Sequence, residues 1–578
     1  MFIVGIFFFS ITFLTQSEQL DAATYDEDGW KAAADFLLDA IDTNQRVNPC
    51  KDFYLFACGK WQKTYKGQFI GEPQKTIKSV ADHLVQAVNR IRENDRATPQ
   101  YQRSLKIFFK QCVNATVDYD LAMTSLYNET AKLFGPMPIM DPARVRRRDP
   151  YYLLGRVQRQ INTKILIDTA VLSSQEKCET RPYLTLFPGF MPKLLLKLNE
   201  SFVDKLATLA RNLGYNLNLN LATKRINELL EFETNITEFL DNVRVRGSDS
   251  DTFLLSELKT QVNGKVNWNA FFTGYFPPSM LKQWKKQNPK IVLYELKYFQ
   301  ELHKFVEQLG YNKLLDYAYL RLFDNYMTDY MVAPSLLQEN VSSLGDEHQC
   351  IEYVLKYASA AAARVFFESV GSVPNPKNIW NWKHDLELLA EAVSAAFRYI
   401  IHTAEWLDVE DKAAIVEKVN IIRFVSGIPE WILNDTAVLK HTPPYDESRT
   451  LFENDMHMFR QKFEWNLEPL MTGQTLPLSA KFDGSSSSYY WDPDPNFNWN
   501  AYYFEQSVNL WMGLTLPPIY NYSYPLALKF GLMGWIIGHE LFHGFDRGRV
   551  TERTAVKRWL NQDTLKEFEK RTTYPHET

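Results

Sequence analysis

The chain has 578 residues, of which 45% are hydrophobic and 14% aromatic, and its formal net charge is −5. At roughly 150 residues per domain this length supports several cores, and the apolar content excludes a disordered polymer. So small a net charge gives no electrostatic basis for a nucleic-acid partner, and RVRRRD, Arg144 to Asp149, reads as a solvated surface turn.

The chain opens with MFIVGIFFFSITFL, a largely apolar stretch followed at once by polar TQSEQLDAATYDEDG. A bilayer span needs roughly twenty residues, so this shorter run suits a signal-peptide core. Small residues at Thr15 and Ser17, or at Ala22 and Ala23, offer cleavage sites, and a signal peptide is expected over residues 1–17, ending by 23. The expectation is a secreted, extracellular protein with no stable membrane span after cleavage; the alternative is a type II membrane-anchored ectodomain. Seven N-x-S/T sequons, at Asn114, Asn128, Asn199, Asn235, Asn340, Asn434 and Asn521, agree with a secretory route. The cysteines are five: Cys50, Cys58, Cys112, Cys178 and Cys350. In an oxidising compartment an odd cysteine implies a partner outside this chain or in a missing part of it.

From about Lys75 to Arg423 the sequence reads mostly as helix. In TIKSVADHLVQAVNRIRENDR and DLELLAEAVSAAFRYIIHTAEWL, apolar residues recur every three or four positions with charges between them. LDVEDKAAIVEKVNII starts a helix with Asp408 as its cap and acids in its first turn. Prolines and glycines at 136–142, 188–192, 277–278 and 443–444 mark turns. The segment from Phe482 to Pro525 differs: Ser and Pro punctuation, then aromatic alternation, predicts a loop, a short strand and a second loop. LALKFGLMGWIIGHELFHGFD follows, apolar and of helical length.

On that last helix His539 and His543 stand four residues apart, so they project from one face about one turn apart. Two imidazole nitrogens so placed can meet one tetrahedral Zn²⁺ at about 2.0–2.1 Å each. Glu540, beside them, can reach water at the cation and take its proton as general base. Asp546 is placed to accept a histidine N–H and fix its tautomer. A catalytic zinc takes a third protein ligand, commonly Glu, and none is evident after His543. Asp563 is the candidate by distance along the chain, although RWLNQDTLKEFEKRT reads as an amphipathic surface helix whose acids face solvent.

Three separated stretches resemble the neprilysin family of zinc endopeptidases. NPCKDFYLFACGKW (Asn48 to Trp61) is similar to its amino-terminal signature. AEWLDVEDKAAIVEKVNIIRFVSGIPEW (Ala404 to Trp431) is similar to the entry into its catalytic lobe. NAYY (Asn500 to Tyr503), with LPPIYNYSYPLALKFGLMGWIIGHELFHGFD, resembles its substrate strand and zinc helix. The resemblance implies a mostly α, two-lobed ectodomain with a thermolysin-like catalytic lobe, whose central cavity limits substrates to small peptides. Residues 24–74 would pack on the catalytic lobe, 75–423 would form the large helical lobe, and 424–578 the catalytic lobe. His539 and His543 would bind one Zn²⁺ per chain, Glu540 would be the base, Asp546 would support a histidine, and Asn500 and Ala501 would bind the substrate backbone as an added strand.

The family carries its third ligand in an E-N-x-x-D type motif roughly sixty residues after the zinc helix, then a His and an Arg, and this chain stops before them; a carboxyl-terminal truncation is therefore expected. In the family the two cysteines of the amino-terminal signature bridge to the carboxyl-terminal region. Cys50 and Cys58 would then lack partners, Cys112 and Cys350 resemble a pair, and Cys178 is left over. Two functions follow: a zinc-dependent endopeptidase of small peptides, or a secreted, catalytically deficient relative that binds peptides or a partner without cleavage.

Overall fold

The fold is described from a computed structural model that covers residues 31, 34, 47–64, 72–114, 119–176, 179–189, 200–243, 250–331, 347–369, 376–426, 430–472, 476–477, 500–504, 506–517, 519–546 and 560–572. The expected signal peptide, Cys178, Asn199 and Asn340 lie outside the described residues. Within them no helix is long and apolar enough to cross a membrane. The chain is mostly helical, as the periodicity predicts. Among the described residues eight strands accompany the helices: β1 Ile167–Glu176, β2 Glu179–Pro188, β3 Ser250–Leu254, β4 Lys290–Tyr294, β5 Arg423–Val425, β6 Leu476–Pro477, β7 Ala501–Phe504 and β8 Ser507–Leu510.

Two compact units emerge. The first draws on Met1–Arg90, Ser359–Val438 and Ser479–Thr578; the second on Ile91–Ala358 and Leu439–Leu478. One stretch of the first unit, Ser359–Val438, includes residues 423 and 424.

The second unit holds a sheet that the helical reading of residues 75–423 did not contain. Its order is β1-β2-β4-β3, with β6 on the far end of β2. β1 and β2 form an antiparallel hairpin from Ile167↔Pro188 to Glu176↔Glu179, β4 runs parallel to β2, and β3 antiparallel to β4. Leu184, Leu186, Ile291 and Leu293 are fully buried, and this alternation along two neighbouring strands is the period-2 pattern that fastens a sheet to a core.

Against the sheet packs the helix Pro150–Ile161, capped by Asp149, whose carboxylate accepts from the Tyr151 N–H at 2.8 Å. It crosses the helix Trp268–Tyr275 at a glycine pair. A Cβ on Gly155 would collide with the Phe271 carbonyl, and one on Gly274 with the Tyr152 carbonyl, so backbone lies directly on backbone there. The closeness lets Phe271, Phe272, Tyr275, Phe276 and Trp284 form one aromatic cluster, with Phe276 and Trp284 rings 4.4 Å apart. Cys112, in the helix Gln100–Val113, is bonded to Cys350, in the helix Glu347–Ser369.

In the first unit, Asp408 caps the helix Val409–Ile421 as expected, accepting from the Asp411 N–H at 2.7 Å. The Asp411 carboxylate in turn accepts from the Asn561 N–H at 3.0 Å, and the Arg571 guanidinium lies 5.2 Å over the Trp406 ring. These contacts fasten the helix Gln562–Thr572. The unit's sheet has the order β5-β8-β7, with β5 parallel and β7 antiparallel to β8.

The Cys112–Cys350 bridge spans 238 residues, a long loop whose closure restricts the unfolded chain strongly. A C112S/C350S variant is expected to lose about 2–5 kcal/mol of stability, read as a lower denaturant midpoint that reductant no longer shifts.

Candidate metal centre

The site is built on a continuous helical run. Leu526–Lys529 makes one α-turn, Phe530–Gly534 a π-turn, and Trp535–His543 the α-helix that carries the histidines. One face is driven inward: Ile537 and Leu541 are fully buried, Gly538 faces Val393 of the helix Pro376–Thr403, and the ring of Phe397 on that helix packs at a tilt against Phe545, centroids 5.0 Å apart. Burying this apolar stripe leaves the opposite face, with His539 and His543, exposed.

The spacing of four residues does what helical geometry requires. The His539 and His543 Nε2 atoms lie 3.1 Å apart, with ring planes at 89°. His543 Nδ1 is 3.1 Å from Asp546 Oδ2, so a proton on Nδ1 leaves the Nε2 lone pair free. Glu540, between the histidines, is buried. Burial raises its carboxyl pKa; His543, His539 and the backbone N–H of Tyr503 work against that rise.

Tyr503 belongs to β7, and the strand's pairing explains why its N–H points away from β8. The Trp511 N–H donates to the Asn500 carbonyl at 3.1 Å, which sets the parity of the antiparallel ladder. Asn500, Tyr502 and Phe504 then bond toward β8, whereas Ala501 and Tyr503 turn their N–H and C=O groups to the other edge. Among the described residues no strand pairs with that edge. Ala501 is buried and Asn500 exposed. The Tyr503 ring also lies against Gly544, where a Cβ would come within 3.0 Å of it, so the strand and the end of the site helix are in direct contact.

Sequence reasoning missed the groups that hold the helix at its other end. Lys529 is buried, and its Nζ is 2.9 Å from Asp385 Oδ1. Tyr520 donates its hydroxyl to the same carboxylate and stacks on Trp382; burial, then Asp385, raises its phenol pKa well above the ordinary value, so it remains a donor. The π-turn separates this anchor from the histidines. One extra residue rotates everything downstream by about 100° relative to an unbroken α-helix, so the anchor and the π-turn together set the direction in which His539 and His543 point. A lysine inside an apolar helical run was the available signal, since a buried ammonium needs a counter-charge. At the far end Lys418 donates to the Gly544 carbonyl at 2.5 Å.

The donor set fits a tetrahedral cation. Two nitrogens at about 2.0–2.1 Å from one metal lie about 3.3 Å apart at the tetrahedral angle, close to the 3.1 Å observed. Among the described residues His539, Glu540 and His543 are the group of metal-ligating side chains that comes together. Asp563 is not in it: its side chain is 93% exposed and pairs with Lys566, in keeping with the solvated face read from the sequence. Cys50 and Cys58 are free thiols, the first exposed and the second half-buried.

A mostly helical fold with two histidines and a buried glutamate on one helix, beside an open strand edge, places the molecule among the zinc metallopeptidases. The sequence pattern of Peptidase family M13 matches residues 49–429 and, separately, residues 500–576. The chain belongs to that family. It is 22% identical to an endothelin-converting enzyme homolog of Locusta migratoria, over 93% of this chain and 75% of the relative. With Neprilysin-2 of Caenorhabditis elegans it shares 22% identity over 91% and 73%, and with mouse endothelin-converting enzyme 1 it shares 23% over 93% and 69%. Its fold is similar to the Mycobacterium tuberculosis zinc metalloprotease solved with an inhibitor (TM-score 0.63, 15% identity, 93% and 78% covered). It is also similar to PepO of Lactobacillus rhamnosis (TM-score 0.64, 13% identity, 91% and 80% covered).

Asp385→Asn would leave the Lys529 ammonium buried without a counter-charge. The expected cost is about 3–5 kcal/mol in denaturant unfolding, with weaker zinc uptake in calorimetric titration.

Proposed function

We propose that this chain is a zinc-dependent endopeptidase of small peptides. The observation that carries the reading is the pair of Nε2 atoms 3.1 Å apart with a buried carboxylate between their residues. His539 and His543 hold the cation, and Asp546 keeps the His543 proton on Nδ1. When bound, the zinc supplies Lewis acidity to the scissile carbonyl and makes water more acidic. Glu540 takes the proton from the attacking water; its desolvated carboxylate is the stronger base for being buried. The peptide adds as a strand on β7, its backbone meeting the outward amide groups of Ala501 and the side chain of Asn500.

The chain is further proposed to act outside the cell, after removal of residues 1–17 or as an anchored ectodomain. Exposed Asn114, Asn128, Asn235 and Asn434, and half-buried Asn521, are its described glycan acceptors. In this reading residues 24–74 support the catalytic lobe, 75–423 form the large helical lobe and 424–578 carry the chemistry. A second reading, a scaffold that binds peptides without cutting them, is favoured by one observation: beyond Glu540, no carboxylate joins the two histidines among the described residues.

Zinc titration together with cleavage of an internally quenched peptide separates the two. Under the peptidase reading, turnover is abolished by chelation and restored by zinc. Glu540→Gln then lowers kcat by about 10²–10⁴-fold with zinc uptake retained, and His539→Ala loses the metal. Zinc uptake and saturable peptide binding without any cleavage would establish the scaffold instead, and no zinc uptake at all would remove both the metal and the peptidase.

A further inference from the structure

The second unit contains a cleft of about 500 Å³ that plays no part in the metal chemistry. It is lined by Lys259 on the π-turn Leu258–Val262, by Lys265 and Asn267 on the loop that follows, by Trp268 and Asn269 at the start of the helix Trp268–Tyr275, and by Lys285 near the end of the helix Pro278–Lys286. Leu255, Val266 and Phe272 complete an apolar floor.

No carboxylate lines this cleft. None of the three lysines enters an ion pair among the described residues; Lys285 donates to the neutral side chain of Asn269. Asp149 lies one hydrogen bond further out. It is already committed to the Asn267 amide at 2.7 Å and to the first turn of the helix Pro150–Ile161. Trp268 is buried at the base of the cleft. Burial also lowers the Lys285 pKa, the sign of a cation lacking an opposite charge. Three lysines thus line one cleft with no acid in its walls, in a protein whose net charge is negative.

We propose that this cleft binds a small organic anion, with a phosphate, sulfate or carboxylate group held by Lys259, Lys265 and Lys285 and a flat apolar body lying against Leu255 and Trp268. The volume is that of a small-molecule site, and an apolar floor with a few convergent polar groups is the usual composition of one. The ligand class is set by the two halves together: the lysines alone would take any anion, and the aromatic floor selects one that carries a ring or an acyl group.

The test uses the full chain with two probes, phenyl phosphate and inorganic phosphate, in calorimetric titration at low salt. Phenyl phosphate is expected to saturate at one site, to bind at least fivefold more tightly than inorganic phosphate, and to weaken as salt rises. Lys259→Glu with Lys265→Glu, both at exposed positions, should reduce its affinity at least tenfold, with unfolding temperature and zinc uptake unchanged. Trp268→Phe should lower affinity severalfold while keeping the ring. Absence of saturation, equal affinity for the two probes, or affinity indifferent to the lysine variants would each overturn the site.

Discussion

Two imidazole nitrogens held 3.1 Å apart are an electrostatic problem that a helix alone does not solve. If both Nε2 atoms carry lone pairs they repel, and if both are protonated two cations face each other; one donating to the other wastes an exposed pair that water would serve equally well. A divalent cation satisfies both lone pairs at once. The surroundings are consistent with that demand: Asp546 draws the His543 proton to the other nitrogen, and the inward stripe of Ile537 and Leu541 fixes the face from which both rings project. The Lys529–Asp385 pair resists rotation of the run as a whole. Remove the apolar stripe or the anchor and the spacing of four residues no longer fixes where the rings point.

Much of the site was legible because helical periodicity is local. His539, Glu540, His543 and Asp546 lie within eight consecutive positions, and a 3.6-residue repeat is enough to place them on one side. The Asp408 cap was readable for the same reason. What escaped the sequence was non-local or broke the period. β1 to β4 were absorbed into a helical reading, since VLSSQE and ETRPYL are too polar to announce buried strands; their apolar alternation matters only once Leu184 meets Ile291 across a parallel pair distant in sequence. The π-turn at Phe530–Gly534 was invisible because an apolar run looks alike in either helix. Lys529 and Asp385 are 144 positions apart, and nothing in either neighbourhood names the other.

The two units put charge to opposite uses. In the first, Glu540 and two imidazoles gather where a cation would fit, and burial raises the pKa of that carboxyl. In the second, the acids are spent on caps and internal pairs: Asp149 on a helix start, Glu233 on Arg321 and Tyr317, Asp316 on Arg225 and the Ile139 N–H. Lys259, Lys265 and Lys285, by contrast, line a cleft of that unit that has no acid in its walls. The glycine contact between Gly155 and Phe271 has a part in this, for it sets the helix whose first residue, Trp268, floors the cleft.

The discontinuity of the first unit has a consequence for biosynthesis. A ribosome releases every residue of the second unit once Leu478 has emerged, including both halves of the Cys112–Cys350 bridge. The first unit, by contrast, is assembled from three pieces of which the last begins at Ser479. Domains form as their residues become available, so the helical body with its sheet is complete while Asp385 and Asp408 still wait for Lys529 and Asn561. The imidazoles thus emerge after the whole of the second unit, and only then can His539 and His543 come together.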